Sequence, residues 1–520
     1  MSQGYIPDSS CFFFFMEMEY SLYQKLREYK NSETVPFHMP GHMRNSVFES
    51  WGFPVGMDIT EINGFDNLYH ASGVLKNSQE RLSRLFGTKA SYYLVNGSTA
   101  GILASVSTCV RRNGQILMAR NSHKSAFNAV YLRGLQSRYI TPRPSGEPGI
   151  HGDIRPETVR HMLESCPDAE AVFVTSPTYD GVVSDIRGIS DVVHEKDLPL
   201  IVDEAHGAHL YFSPYFPSSA VQEGADLVIQ SFHKTLPSLT QSAVLHVCSD
   251  RIDTDVLERF LSMYQTSSPS YILMAGLDRC VSFLEEEGKA AFAHYTDKLD
   301  HVRDCLAENR IFSLLEPDKC HAYDRSKILL RAPVAGGGTH LAELLRQEYH
   351  IEVEMEAADY VLALTSVGNR DEDFDRLAGA ITELDRKWEK KENGGNAIAD
   401  VKELVTEQLQ INVKEPVTEH LQKGSAAPEV VTTIAQAMEG AAEGILLSES
   451  AGHVSSEFVW IYPPGIPLIV PGERISGHVV KQLENAGRAG LAVQGPADRS
   501  GKYIKVMVTV KTEQLQVMEC

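Results

Sequence analysis

Residue types suited to covalent and acid–base chemistry recur at one kind of place in this chain, the polar end of a short apolar run. Leu227-Val228-Ile229-Gln230 leads into Ser231-Phe232-His233-Lys234, Leu200-Ile201-Val202 into Asp203-Glu204-Ala205-His206, and Ile116–Ala119 into a segment containing His123. A lysine in a protected site with a lowered pKa is a nucleophile that can form a Schiff base with an aldehyde. A carboxylate such as Asp203, closing a buried strand, can hold a protonated ring nitrogen, and it serves equally well as a metal ligand or structural acceptor. His123 can stack on a flat aromatic ring. Taken singly, though, His123, His206 and His233 read as hydrogen-bonded core or surface histidines, and a lone lysine reads as solvated.

Two further runs end in the same way. Tyr92–Val95 leads into Asn96-Gly97-Ser98-Thr99-Ala100-Gly101, and Ala171–Thr175 into Ser176-Pro177-Thr178-Tyr179. Small residues before a helix over Ala100–Val110 let backbone approach a phosphate, with free N–H donors at the helix start. A plain Ser/Thr helix cap is the alternative. Ligands of open α/β sheets bind beyond the carboxyl ends of the strands, so five such endings predict one shared site if the strands are neighbours. A phosphate loop, a stacking histidine, an aspartate and a Ser-x-His-Lys, in that chain order, point to pyridoxal phosphate (PLP) carried on Lys234.

The elements that must position these groups follow from periodicity. From Ser78 to Ala275, apolar runs of strand length alternate with helical patterns, the mark of an α/β domain with a mostly parallel sheet. Residues 18–77 before it are irregular and rich in His, Gly and Pro. Over 276–386 the pattern changes to a smaller α+β domain. There a long amphipathic helix is expected through Leu277, Val281, Leu284 and Phe292, then strands at Ile328–Leu330 and Tyr360–Thr365 and a helix near Thr339–Tyr349. Residues 387–428 read as a charged linker holding a short tandem duplication (Val401–Gln410 and Val413–Gln422), with too few copies for a solenoid. Residues 429–520 form a C-terminal α+β domain. Its proline-rich run Tyr462–Glu473 is expected to be an ordered loop.

Composition bounds the function. The chain has 520 residues and a net charge of −21, which argues against a general nucleic-acid binder. No apolar run has the roughly 18 residues of a membrane span. Eight cysteines without Cys-x-x-Cys spacing fit a reducing, cytoplasmic setting and give no metal site. Phe12–Phe15 is short and lacks a basic leader, so residues 1–17 read as a ragged extension rather than a signal peptide.

As a set, Pro36-Phe-His-Met-Pro-Gly-His42, Asn96–Gly101, His123-Lys-Ser125, Ser176–Tyr179, Asp203–His206, Ser231–Lys234, Ser238–Ser242 and Tyr462–Glu473 make the chain resemble the ornithine/lysine/arginine decarboxylases of the aspartate-aminotransferase fold, in their shorter bacterial form. The resemblance spans most of the chain. It implies a PLP-dependent decarboxylation of a basic amino acid, arginine ahead of lysine and ornithine, serving polyamine biosynthesis. By it, Lys234 holds the cofactor, Asp203 pairs with the pyridine nitrogen and His123 stacks on the ring. Ser98, Thr99, Ser231 and His233 line the phosphate, and His206 and Thr178 lie near the ring hydroxyl or the substrate carboxylate. Lys234 or His233 returns the proton to Cα. It also implies a homodimer or larger assembly, with His38 and His42 at a mouth shared between subunits. Thr235-Leu236-Pro237 departs from the glycine or small residues that relatives often carry after the lysine. The segment Asp58–Glu61 to Asp66 is a candidate source of a carboxylate for the cationic substrate tail, or else a surface loop. Two other readings remain at this point: an aminotransferase, with Arg331 as the α-carboxylate clamp, and a non-catalytic regulatory partner of the same fold.

Overall fold

The computed structural model describes residues 21–40, 42–147, 149–334, 336–357, 359–393, 429–462, 466–488 and 492–508. The N-terminal extension and the duplicated segment lie outside the described residues.

Eight strands belong to the large domain: β1 (Ala90–Leu94), β2 (Gln115–Ala119), β3 (Gln136–Ile140), β4 (Ala169–Thr175), β5 (Val182–Val183), β6 (Leu200–Asp203), β7 (Leu227–Gln230) and β8 (Ala243–Val247). Seven of them form one sheet in the order β1-β8-β7-β6-β4-β2-β3. Pairing is parallel from β7 through β6, β4 and β2 to β3. β8 is antiparallel to both β7 and β1, so β1 again points with the rest. The sheet is therefore mostly parallel, as periodicity indicated, and all five reactive endings emerge at one edge.

The inner strands β2, β4, β6, β7 and β8 are mostly apolar because both faces are covered. Ile116, Met118, Phe173 and Ile201 face one core with Ile102 and Phe127. Leu117, Val172, Val174 and Val202 face another with Ile189 and Val193. The helix after β1 spans Gly97–Cys109 and lies close on the sheet. A Cβ at Gly101 would meet Leu94 Cδ1 at 2.7 Å and Ile229 Cγ2 at 3.2 Å, so a larger residue would displace those buried side chains.

The smaller domain carries β9 (Ala322–Tyr323), β10 (Lys327–Arg331), β11 (Met355–Glu356) and β12 (Tyr360–Leu364). The last three form an antiparallel sheet in the order β10-β12-β11. The single long helix expected through Leu277 and Phe292 is two, Tyr271–Glu286 and Gly288–Ala307, broken at Glu287. The domain division placed at 275/276 falls inside the first of these. The short pairing of β5 with β9 ties the two domains together. Lys387–Asn393, assigned to the linker from its charge, is the end of a helix running from Asp371.

The C-terminal domain contains β13 (Ala442–Leu446), β14 (Val459–Tyr462), β15 (Pro467–Ile469), β16 (Ala492–Gln494) and β17 (Tyr503–Met507), with helices Ile434–Glu439 and Gly477–Arg488. The proline-rich run is not all loop. Pro467–Ile469 forms an edge strand on β14, with the proline in the first position, where a missing N–H costs least. Among the described residues, no helix is long and apolar enough to cross a membrane, and no His/Cys/Asp/Glu group could hold a metal ion.

Candidate active site at the carboxyl edge of the sheet

Lys234 stands on a single helical turn, Phe232–Thr235, directly after β7. Phe232 is fully buried and anchors that turn. Burial of such a ring contributes about 2–3 kcal/mol. The Lys234 Nζ lies 2.8 Å from His206 Nε2, which comes from the loop after β6. Tyr179, after β4, packs edge-on against the His206 ring with centroids 4.7 Å apart.

Burial lowers the Lys234 amine, Asp203 opposes this, the Lys327 charge adds to it and Glu354 opposes it. A buried amine with a lowered pKa spends more time as the free-base nucleophile. Burial raises the Asp203 carboxyl, while the Lys234 charge and the Ala205 N–H hold it down. Burial takes the His206 imidazole well below its ordinary range, with Lys234 adding to the effect. His123 is lowered to about 4 by burial and by Lys234 and Lys124, so its ring is neutral near pH 7.

The first two loops are joined by hydrogen bonds. Thr99 Oγ1 lies 3.0 Å from Ser125 Oγ, and Ser125 Oγ lies 2.9 Å from His123 Nδ1. Gly97 adopts φ +73° at the turn, and the helix cap is Asn96, without a side-chain capping bond. The Ser/Thr cap alternative therefore does not hold: Ser98 and Thr99 lie inside the first turn. Ser231 Oγ is fully buried and has no hydrogen-bond partner, nor do His206 Nδ1 and Thr235 Oγ1.

Two expected residues are turned to local duties. Thr178 Oγ1 accepts the Val182 N–H at 3.0 Å, closing the loop into β5. His233 Nδ1 donates to the Ser242 carbonyl at 2.7 Å, which leaves Nε2 as its free ring position. Within the N-terminal segment, His38 Nε2 meets Tyr29 Oη at 2.6 Å and His42 Nε2 meets Asp58 at 3.3 Å. Asp66 accepts the Gly73 and Leu75 N–H groups at the start of a helix, a structural use of that carboxylate.

Sequence reasoning missed a buried cluster from the far side of the chain. Lys327 and Asp324, both fully buried, pair at 3.3 Å, and Asp324 also meets His209 Nε2 at 3.1 Å. Lys327 Nζ reaches the His206 carbonyl at 3.5 Å. Burial works against the Asp324 charge, but His209 and Lys327 hold that carboxyl well below its usual range. Glu354, just before β11, was also missed. It accepts a hydrogen bond from Tyr179 Oη at 2.5 Å and is felt by Lys234. No local pattern marks either group, since Asp324, Lys327 and Glu354 lie 90 or more residues beyond Lys234 in the chain.

The Orn/Lys/Arg decarboxylase major-domain model matches residues 21–329, and the corresponding C-terminal-domain model matches 414–491. The chain belongs to the Orn/Lys/Arg decarboxylase family. An arginine decarboxylase of Bacillus subtilis is 30% identical over 508 residues, covering 95% of this chain and 99% of that one. The constitutive lysine decarboxylase of Escherichia coli is 22% identical, over 86% of this chain and 74% of its own. Among solved structures, the Francisella novicida lysine decarboxylase superposes with a TM-score of 0.77 at 21% identity, covering 96% of this chain and 82% of its own. Family and fold make this chain a PLP-dependent amino-acid decarboxylase of fold type I. The residues present fit that cofactor. A buried carboxylate, an amine of lowered pKa and the orphaned Ser231 hydroxyl converge beside a helix start that suits a phosphate.

Proposed function

We propose that the chain decarboxylates a basic amino acid, arginine before lysine or ornithine, to the corresponding amine for polyamine biosynthesis. The observation that carries this is Glu354. Its exposed carboxylate accepts from Tyr179 Oη, whose ring packs on His206, the neighbour of the Lys234 amine. A carboxylate there meets the cationic end of a substrate whose α-amine lies at Lys234. It joins Asp58–Glu61 and Asp66 as a candidate for that part. The preference for arginine rests on the names of the relatives at 30% identity.

In this reading Lys234 holds the cofactor's aldehyde carbon covalently. Asp203 would hold a proton on the pyridine nitrogen, and the neutral His123 ring would pack against the cofactor. Ser98, Thr99, Ser231 and His233 Nε2 line the phosphate. His206 and Thr178 lie by the ring hydroxyl or the substrate carboxylate. The cofactor supplies the sink for the electron pair left when CO2 departs. Lys234 or His233 then delivers a proton to Cα. Arg331, the clamp an aminotransferase would need, is engaged with Glu147 at 2.6 Å.

The test is to incubate the PLP-loaded protein separately with arginine, lysine and ornithine. CO2 with agmatine, cadaverine or putrescine is the expected result, greatest for arginine. Keto acid without CO2 would defeat the reading.

A further inference from the structure

The C-terminal domain does not merely hang from the decarboxylase core. It grips the strand end that carries His123. Arg120, the residue after β2, forks onto Glu473 with Nε–Oε1 3.1 Å and Nη2–Oε2 3.0 Å. The same guanidinium donates to the carbonyls of Pro467 at 2.6 Å and Leu468 at 3.3 Å. Both side chains are largely out of water, Arg120 at 11% and Glu473 at 3% exposure. Bidentate pairs of this kind fix direction as well as distance.

The grip is reinforced on both sides. Glu473 Oε2 also accepts the Val470 N–H at 3.0 Å, and Val470 is buried in the same core as Phe127 and Met118. Phe458 meets the Phe127 ring at 6.2 Å, and Lys124 Nζ stands 5.8 Å from the Trp460 ring. Between Arg120 and His123 there are only two residues. Both are buried, and Ser122 is bound back to the Ala119 carbonyl through its N–H and its hydroxyl. A short, rigid span of this kind passes a displacement of Arg120 directly to His123.

We infer that Glu473 is a positioning residue for the cofactor site, acting through Arg120 to set where the His123 ring stands. The inference rests on the reading that His123 faces PLP. It assigns the C-terminal domain a part in cofactor binding that the decarboxylation chemistry alone does not require of it.

The experiment uses the full chain as parent, Glu473→Gln, His123→Ala and the double variant. Readouts are the dissociation constant for PLP, the visible circular dichroism of the bound cofactor and the thermal midpoint. Glu473→Gln is expected to weaken PLP binding by about tenfold and to diminish the visible dichroism, and to add little once His123 is already alanine. Arg120→Lys keeps the charge but loses the fork. It should show the same cofactor defect, and it carries the test if Glu473→Gln does not fold. A lowered thermal midpoint with parent-like PLP affinity and dichroism would reduce the contact to a domain fastening and overturn the inference. Additive effects of Glu473→Gln and His123→Ala would overturn it too. A parent that takes up no PLP would instead sink the reading of the site itself, and the inference with it.

Discussion

Asp203 and Ser231, on the floor of the site, are 3% and 0% exposed, and each continues a strand buried on both faces. Glu354 and the segment from Val35 to Phe53 are built differently. Glu354 is exposed on the short edge strand's approach, and Val35, Phe37, Met39, Val47 and Phe53 expose between 64% and 94% of their surface. The floor's geometry is inherited from a sheet whose strands cannot shift singly. Exposed apolar side chains of this size can mark a contact surface, and we propose a second copy of this chain as what meets them.

The comparison can be broken first at the floor. Lys234→Ala should lower decarboxylation by roughly 10³-fold or more and abolish borohydride labelling of the PLP-loaded protein. Retained labelling would move the covalent role to another lysine, with buried Lys327 the next to examine. At Glu354 the effect should be smaller and of another kind. Glu354→Gln should raise KM for arginine by about tenfold, with kcat within about threefold. A loss confined to kcat would remove Glu354 from recognition.

The difference between the floor and these exposed groups also decides what could be read in advance. The five strand ends were legible because each buried strand supplies a short apolar run stopped by polar residues. Their common direction was not, since it depends on the antiparallel insertion of β8 between β1 and β7, which leaves no mark in either run. The break at Glu287 was hidden because Leu277, Leu284 and Phe292 keep helical spacing across it. Lys327 escaped notice because a lysine opening an apolar strand looks like a solvated strand end. Only the fold brings Asp324, three residues earlier in the chain, to neutralise it. Glu354 belongs to the small domain and becomes a neighbour of Lys234 only in three dimensions.

Further sharpening comes from the exposed apolar side chains. Phe37→Ser with Phe53→Ser should shift sedimentation toward smaller species, with unchanged far-ultraviolet dichroism. An unchanged sedimentation profile would leave those side chains without the contact assigned to them. The smallest effect is expected under the floor, at Glu204. Burial and the adjacent Asp203 raise this carboxyl from 4.5 to about 7, against hydrogen bonds from Ser219, Ala220 and Gln230. The folded chain therefore keeps a proton that the unfolded chain has already released across that interval. Its contribution to stability is complete below pH 4.5 and is lost as pH rises through about 7. Glu204→Gln should flatten the denaturation midpoint over that window, and an unaltered slope would show that the carboxyl titrates normally.

All five reactive loops leave the sheet at its carboxyl edge, so the opposite edge is free of chemistry. The turns entering β4, β6 and β7 there carry none of the groups assigned to the site. Lengthening such a turn adds closure entropy of only about 0.6 kcal/mol per doubling and moves no reacting atom. That edge is where an inserted epitope, a fluorescent reporter or an inherited extra segment can be accommodated while the decarboxylase continues to work.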